Sequence, residues 1–352
     1  MRTLFKSPSV FNGELAGSHM QEPRTVLFVE LPGNRPLPEA TVLGSLGGGS
    51  KVSCLSCSSA TARFLENNSE SDPLMVINKP EKHLLEEFRK KFPEGVSILV
   101  TDLSMEQYAS ALSYKEDLLL DHIVGNSGRP EWTVLDLRTT LQKELRDEMF
   151  GISRYLRPGT SIISEKITHS DQRRDLNLKV MDYAESLRLT SATSKLLYGI
   201  SEELLMNAIY DAPTDQNGKP IYGEIQRTKF ISLKDHEVCS LSFGSDGETF
   251  ALGVEDPFGA LKKTKFHSYM KKVLRRHEGS KIIDTKKGGA GLGLFKILYS
   301  SHALICNSLP GRKTEVISLI DLHSQIRDFS RMARGLHFFQ QRSGSTPASP
   351  NE

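Results

Sequence analysis

Residues 284–308, DTKKGGAGLGLFKILYSSHALICNS, place four glycines (Gly288, Gly289, Gly291 and Gly293) within six positions and then run straight into an apolar segment. Glycine reaches backbone conformations closed to other residues and lets a ligand or another backbone come close, at a cost in chain entropy. A chain that sets such a loop against an apolar helix has two uses for it. The glycines make a tight structural turn, or they hold a loop open so that the unpaired, partly positive N–H groups of the helix start can wrap an anion. A dinucleotide-binding G-x-G-x-x-G would need an apolar strand in front, and SKIIDTKKG supplies only a stub.

The 352 residues exceed what one core usually supports, so two domains are expected. With 38% hydrophobic and 25% charged residues the chain can bury a sizeable core, and a net charge of +2 provides no global attraction to nucleic acid or membrane. Cys54, Cys57, Cys239 and Cys306 are too scattered for a secreted disulfide framework. The first 24 residues read as a flexible N-terminus without an unbroken apolar stretch, and no later segment reaches membrane-spanning length, so a cytoplasmic protein is expected.

From 25 to 136, the β-rich runs TVLFVEL, KVSCLSC, PLMVIN, VSILVTDL and EWTVLDL alternate with helical pieces such as EKHLLEEFRKKF, in which Leu84, Leu85 and Phe88 recur at helical spacing. That alternation implies a parallel sheet covered by helices, an α/β domain. In outline it resembles a response-regulator receiver domain. The first run ends Glu30-Leu31-Pro32, the third ends Ile77-Asn78, and Asp102 follows the fourth, so the acceptor carboxylates of a receiver are absent. A binding or dimerising module is the expectation. Two decoys fall here. GSLGGGSK at 44–51 reverses the Lys-Ser/Thr order of a phosphate loop and is followed by a strand. Cys54-x-x-Cys57 has no second pair to complete a zinc site, so buried strand cysteines are expected.

Residues 137–179 read as a helical connector broken by a turn at Arg157-Pro158-Gly159, and the helical SKLLYGISEELLMNAIYDAP follows. Within it Glu203 and Asn207 are four apart and share a helix face, while Leu197, Ile200, Leu204, Leu205 and Ala208 spread around the circumference. A helix so widely apolar is buried, and its polar groups need partners.

EELLMNAIYDAP resembles the N box of the Bergerat-fold (GHKL) ATPases, the superfamily of gyrase B subunits, heat-shock chaperones, MutL proteins, histidine kinases and anti-sigma-factor serine kinases. The downstream order also matches over 180–322: the strands KFISL, VCSLSF and TFALGVED, the loop DPFGAL, a basic segment, the glycine box GGAGLGL and the strand ALICNSL. The resemblance implies an α+β two-layer ATPase domain that binds ATP and Mg²⁺. Asn207 becomes the metal ligand, as a neutral carbonyl oxygen suits an Mg²⁺ that also bridges phosphates. Glu203 becomes the base that orients or deprotonates a nucleophile. Asp256 becomes the acceptor of the adenine amino group, and Thr314 a water-mediated adenine contact. Gly289, Gly291, Leu292, Gly293 and Leu294 become the phosphate-side glycine box. The family's Asp-x-Gly-x-Gly is here Asp256-Pro257-Phe258-Gly259-Ala260, so Gly259 is left to supply the positive φ and Phe258 to cover the purine.

Residues 261–287 carry eight Lys and two Arg against Glu278 and Asp284 alone, the expected ATP lid. Nucleic acid is the rival partner for such a run but finds few stacking aromatics here. His236-Glu237 and His277-Glu278 sit in a predicted turn and in the lid, and His169 lacks an acidic neighbour, so autophosphorylation on His is disfavoured. The resulting expectation is a kinase acting on Ser or Thr of a regulatory protein partner, in the manner of the anti-sigma kinases, with homodimerisation common in such folds. Its alternatives are a non-catalytic protein-interaction module gated by ATP, or a histidine kinase lacking a recognisable phosphoacceptor hairpin. Residues 323–339 read as a C-terminal helix through Ile326, Phe329 and Met332, and 340–352 as a disordered tail.

Overall fold

The computed structural model describes residues 24–38, 42, 51–56, 58–67, 72–104, 107, 119–126, 128–146, 148–215, 217–266, 268, 290–324 and 332–341. The expectations for the N-terminal segment, the glycines of GSLGGGSK, Cys57, most of the lid, Gly289, Ile326, Phe329 and the tail beyond Gln341 lie outside these residues.

The first half comprises β1 (Thr25–Val29), β2 (Lys51–Leu55), α1 (Ser58–Asn67), β3 (Leu74–Ile77), α2 (Lys82–Lys91), β4 (Val96–Thr101), β5 (His122–Gly125) and α3 (Pro130–Arg146). β1, β3, β4 and β5 are buried at every residue. A strand covered on both faces needs apolar side chains on both, which is why TVLFV and LMVI read as unbroken runs. The strands pair in parallel in the order β2-β1-β3-β4-β5, a doubly wound order. EWTVLDL, expected as a strand, is helical, and HIVG is the fifth strand instead. Pro130 starts the helix where its missing N–H costs nothing, and Trp132, Thr133, Asp136, Leu137, Thr140 and Leu141 are buried at helical spacing. Cys54, expected to be buried on its strand, is exposed on β2.

The second half comprises β6 (Ile162–Ile167), α4 (Gln172–Ser186), α5 (Ser191–Met206) with a π-helical extension (Asn207–Asp211), β7 (Cys239–Ser245), β8 (Thr249–Asp256), α6 (Ala290–Tyr299), β9 (Ala303–Leu309), β10 (Lys313–Asp321) and β11 (Gly335–Gln340). Two expectations are corrected. The connector expected to be helical carries a strand, β6, paired with β7. The helix expected over 323–339 gives way to β11, parallel to β9 and antiparallel to β5. GLHFF is buried at each position, and a short apolar run buried on both faces carries no period that separates strand from helix. KFISL forms only an isolated bridge, Ser232 to His169.

β11 joins the halves into one mixed 11-stranded sheet, ordered β2-β1-β3-β4-β5-β11-β9-β10-β8-β7-β6. The protein is therefore a mixed α/β fold. On one face a single core runs through both halves, from Leu27, Met75 and Leu99 to Leu204, Leu252 and Leu304. The other face is covered by α3, whose Leu137 and Leu141 serve the first half and whose Trp132 serves the second. Among the described residues no helix is long and apolar enough to cross a membrane.

The joint contains a buried lysine. Lys143 of α3 donates to Tyr155 Oη (2.9 Å) and Asn307 Oδ1 (2.7 Å), and its Nζ lies 3.7 Å from the Phe339 ring centroid. Burial disfavours the charged form and pushes the amine down from 10.5 to about 7, against the opposing pull of Glu315. Between these values the unfolded chain holds a proton that the folded chain releases, so this group makes stability rise with pH over that window. Urea unfolding from about pH 7 to about pH 9 is expected to show that rise, and Lys143→Met to flatten it; an unchanged slope in the variant would place the amine in water.

Candidate functional site

α5 starts cleanly because Thr190 caps it, accepting a hydrogen bond from Thr193 N at 3.2 Å, and it is held by buried Leu197, Ile200, Leu204 and Leu205. Beyond Met206 the backbone widens to the π turn that ends where Ala212 N donates to Asn207 O at 2.9 Å. Such π segments recur at functional sites because the extra residue re-aims side chains. Here Asn207 and Asp211 both line a cleft between α5, β8, β10 and α6, with about 590 Å³ of space open to solvent.

Leu204, Ala208, Val254, Leu261, Leu294 and Val316 make the cleft's apolar walls. The polar groups are few: Asn207, Asp211, Asp256, Lys265 and Thr314. Asp256 ends β8 directly opposite Thr314 of β10 in the antiparallel register, so two residues 58 positions apart meet by strand pairing alone. Asp256 is buried and accepts from Phe258 N at 3.0 Å. Burial pushes its carboxyl up to about 7, although the N–H groups of Phe258 and Gly259 and the Thr314 hydroxyl favour the ionised form. The carboxyl therefore titrates near neutrality in a mostly apolar cleft.

Gly259 has φ +60°, and a Cβ there would stand 2.1 Å from Leu309 O. The loop after β8 thus needs glycine to cross the β9–β10 turn, and the lining is made by Ala260 and Leu261 rather than by Phe258.

The glycine box reaches the cleft through α6. Gly291 and Leu292 lie in its first turn and Leu294 in the cleft wall. A Cβ on Gly293 would stand 2.9 Å from both Glu203 Oε2 and Asn207 Oδ1. One turn on, Lys296 donates to Glu203 Oε1 at 2.6 Å. The expected residues are thus brought together: Asn207, Asp256, Leu294 and Thr314 around one cleft, with Glu203 and Gly293 touching at its edge.

Asn207 Nδ2 is buried without a hydrogen-bond partner, which leaves this amide uncommitted beside the cleft. Among the described residues no group of three or more His, Cys, Asp or Glu side chains is placed to hold a metal alone. A cation here would take one oxygen from Asn207 and need the rest from a bound anion and water, a donor set that suits Mg²⁺.

Three residues of the site were not singled out from the sequence. Asp211 accepts from Arg227 Nη2 at 2.7 Å, yet burial still raises its carboxyl above the usual range. Its spacing of four from Asn207 was the available signal. Lys296 is the one charged residue of AGLGLFKILY, and Lys265 was hidden among the other lysines of the basic segment 261–287.

No protein-family model and no curated protein matches this sequence. A solved structure from Pseudomonas aeruginosa, the SiaB–SiaC complex, is similar over 44% of this chain and 89% of its own, at 9% identity and a TM-score of 0.27, too low to assign a fold or a role.

Because the folded chain binds a proton at Asp256 that the unfolded chain has already lost, this group's contribution to stability is full below about pH 4 and falls as pH rises to about 7. Asp256→Asn is expected to shallow that fall in chemical denaturation. A slope identical to wild type would mean that the carboxyl is solvated.

Proposed function

We propose that this chain is an ATP-Mg²⁺-binding signal-transduction protein of the Bergerat-fold, histidine-kinase-like type that phosphorylates Ser or Thr of a regulatory protein partner. The observation that carries the reading is the meeting of Asn207, Asp256, Leu294 and Thr314, scattered over more than a hundred residues, around one apolar cleft. An apolar slot with a few convergent polar groups suits a flat heteroaromatic base. Above about pH 7, where its carboxyl is ionised and can only accept, Asp256 would select a purine edge bearing an amine over one bearing a carbonyl, and Thr314 stands beside it.

At the other end the N-terminal turn of α6, next to Asn207, would offer its N–H groups to phosphate oxygens, and Lys265 would add a cation. Mg²⁺, when bound, would neutralise charge on the phosphates, with Asn207 as its protein ligand. Glu203, one turn before Asn207, would take a proton from a hydroxyl nucleophile, with Lys296 Nζ donating to its Oε1 and orienting it. The first half shares its strand order with receiver-type sheets. Its Asn78 and Glu30 are spent on the backbone, accepting from Leu31 N (2.8 Å) and Leu37 N (2.5 Å), so we read it as a binding or dimerising module without acceptor chemistry.

One observation favours a second reading, an ATP-gated module without transfer. The ion pair with Lys296 occupies the carboxylate that catalysis would need. Incubating the chain with γ-labelled ATP and lysate fractions of its host, beside Glu203→Ala and Asn207→Ala, separates the two. Label on a partner protein that falls at least about a hundredfold with Glu203→Ala is the result expected of a kinase. Nucleotide binding without label or hydrolysis would leave the gated module, and no binding at all would defeat both.

A further inference from the structure

A second cavity, with about 470 Å³ of open space, lies across Arg227 from the cleft. Arg173 and Arg174 reach it from the first turn of α4, and Tyr210, Arg227 and Lys229 close it from the π turn and the segment after it. Four cations thus face the cavity against one lining carboxylate, Asp171.

The cavity is built rather than incidental. Tyr210 is fully buried, and its hydroxyl donates to Arg227 O (3.0 Å) and Lys229 O (3.2 Å). Its ring centroid lies 5.5 Å from the guanidinium carbon of Arg173 and 4.8 Å from that of Arg227, which holds both planar groups in place. Arg227 spends Nη2 on Asp211, and Arg173 has Nη2 at 3.8 Å from Glu202. Arg173 Nε and Arg227 Nη1 remain buried with no hydrogen-bond partner. Buried N–H groups left unpaired are costly, and an acceptor entering from solvent would satisfy both.

We propose that this cavity binds a phosphate monoester. A monoester dianion carries enough charge and enough oxygens to engage two oriented guanidiniums together with Arg174 and Lys229, whereas a single carboxylate would leave donors unmet. The site also reaches the first cleft: Arg227, which lines this cavity, holds Asp211 of the cleft wall through Nη2. An anion competing for Arg227 would loosen Asp211 in the cleft wall. The inference stands independently of what the cleft binds.

The test is calorimetric titration of the full chain, at fixed ionic strength, with inorganic phosphate, phosphoserine, a phosphoserine peptide and a short single-stranded oligonucleotide. Phosphate and phosphoserine are expected to bind saturably, and Arg173→Gln and Arg174→Gln to weaken both by about tenfold or more. Arg174 has no ion pair to lose among the described residues, so an unchanged melting curve for its variant keeps the comparison valid if Arg173→Gln fails to fold. Tighter binding of the peptide than of phosphoserine would assign the phosphate to a protein side chain, and equal binding to a free small phosphate. The proposal falls if wild type shows no saturable phosphomonoester binding, if the exposed Lys195→Gln weakens it equally, or if only the oligonucleotide binds. It falls also if Asn207→Ala abolishes phosphate binding while Arg174→Gln does not, which would place the anion in the first cleft.

Discussion

At Gly293 the backbone of α6 lies so close to α5 that one added carbon would stand 2.9 Å from Glu203 Oε2 and from Asn207 Oδ1. Everything proposed for the cleft depends on that approach. It brings the start of α6 beside the Asn207 amide, sets Leu294 into the wall, and lets Lys296 reach Glu203. Opposite α5 and α6, the β8–β10 register sets Asp256 against Thr314. A helix pair and a strand pair, each fixed by its own packing, therefore present polar groups to one apolar space.

The cleft is also tied to the first half. The basic segment that follows β8 lines its mouth with Leu261 and Lys265. Lys263 pairs with Asp121, just before β5, and Phe266 is buried with its ring centroid 5.4 Å from that of Phe338 on β11. Asp121 is in turn held by Arg89 and by Ser97 N, each at 2.7 Å. Burial opposes its ionisation, but the neighbouring Lys263 and Arg89 hold the carboxyl well below the usual range. The start of this segment thus rests on an ion pair with the first half and an aromatic contact with β11, the strand that makes the two halves one sheet.

Much of this was legible in the sequence, for identifiable reasons. The buried parallel strands announce themselves as apolar runs, and α5 by its wide apolar circumference. Glu203 and Asn207 could be singled out because helical spacing is local, and Asp256, Gly293 and Thr314 because the order of the segments resembles that of a known family; the structure brings them to one cleft or its edge. The misses have other causes. β11 is a short apolar run buried on both faces, whose period carries no information, so GLHFF read as helix. WTVLDL read as strand because a short window rich in β-formers hides the helical spacing that its buried residues show only over the whole of α3. Asp211, Lys265 and Lys296 take their place in the site from tertiary packing, and among so many other charges no local pattern marks them. The Arg173–Tyr210–Arg227 stack joins residues more than fifty positions apart and was likewise invisible.

The central claim is that Asp256, Asn207 and the start of α6 form one adenine-nucleotide site. Calorimetric titration of the full chain with ATP and with GTP in the presence of Mg²⁺, at a pH above about 7 where the Asp256 carboxyl is ionised, tests it most directly. The account predicts saturable binding of one ATP per chain, with GTP weaker by at least about a hundredfold because its purine presents a carbonyl to Asp256. Equal affinity for the two nucleotides, or binding of neither, would contradict it.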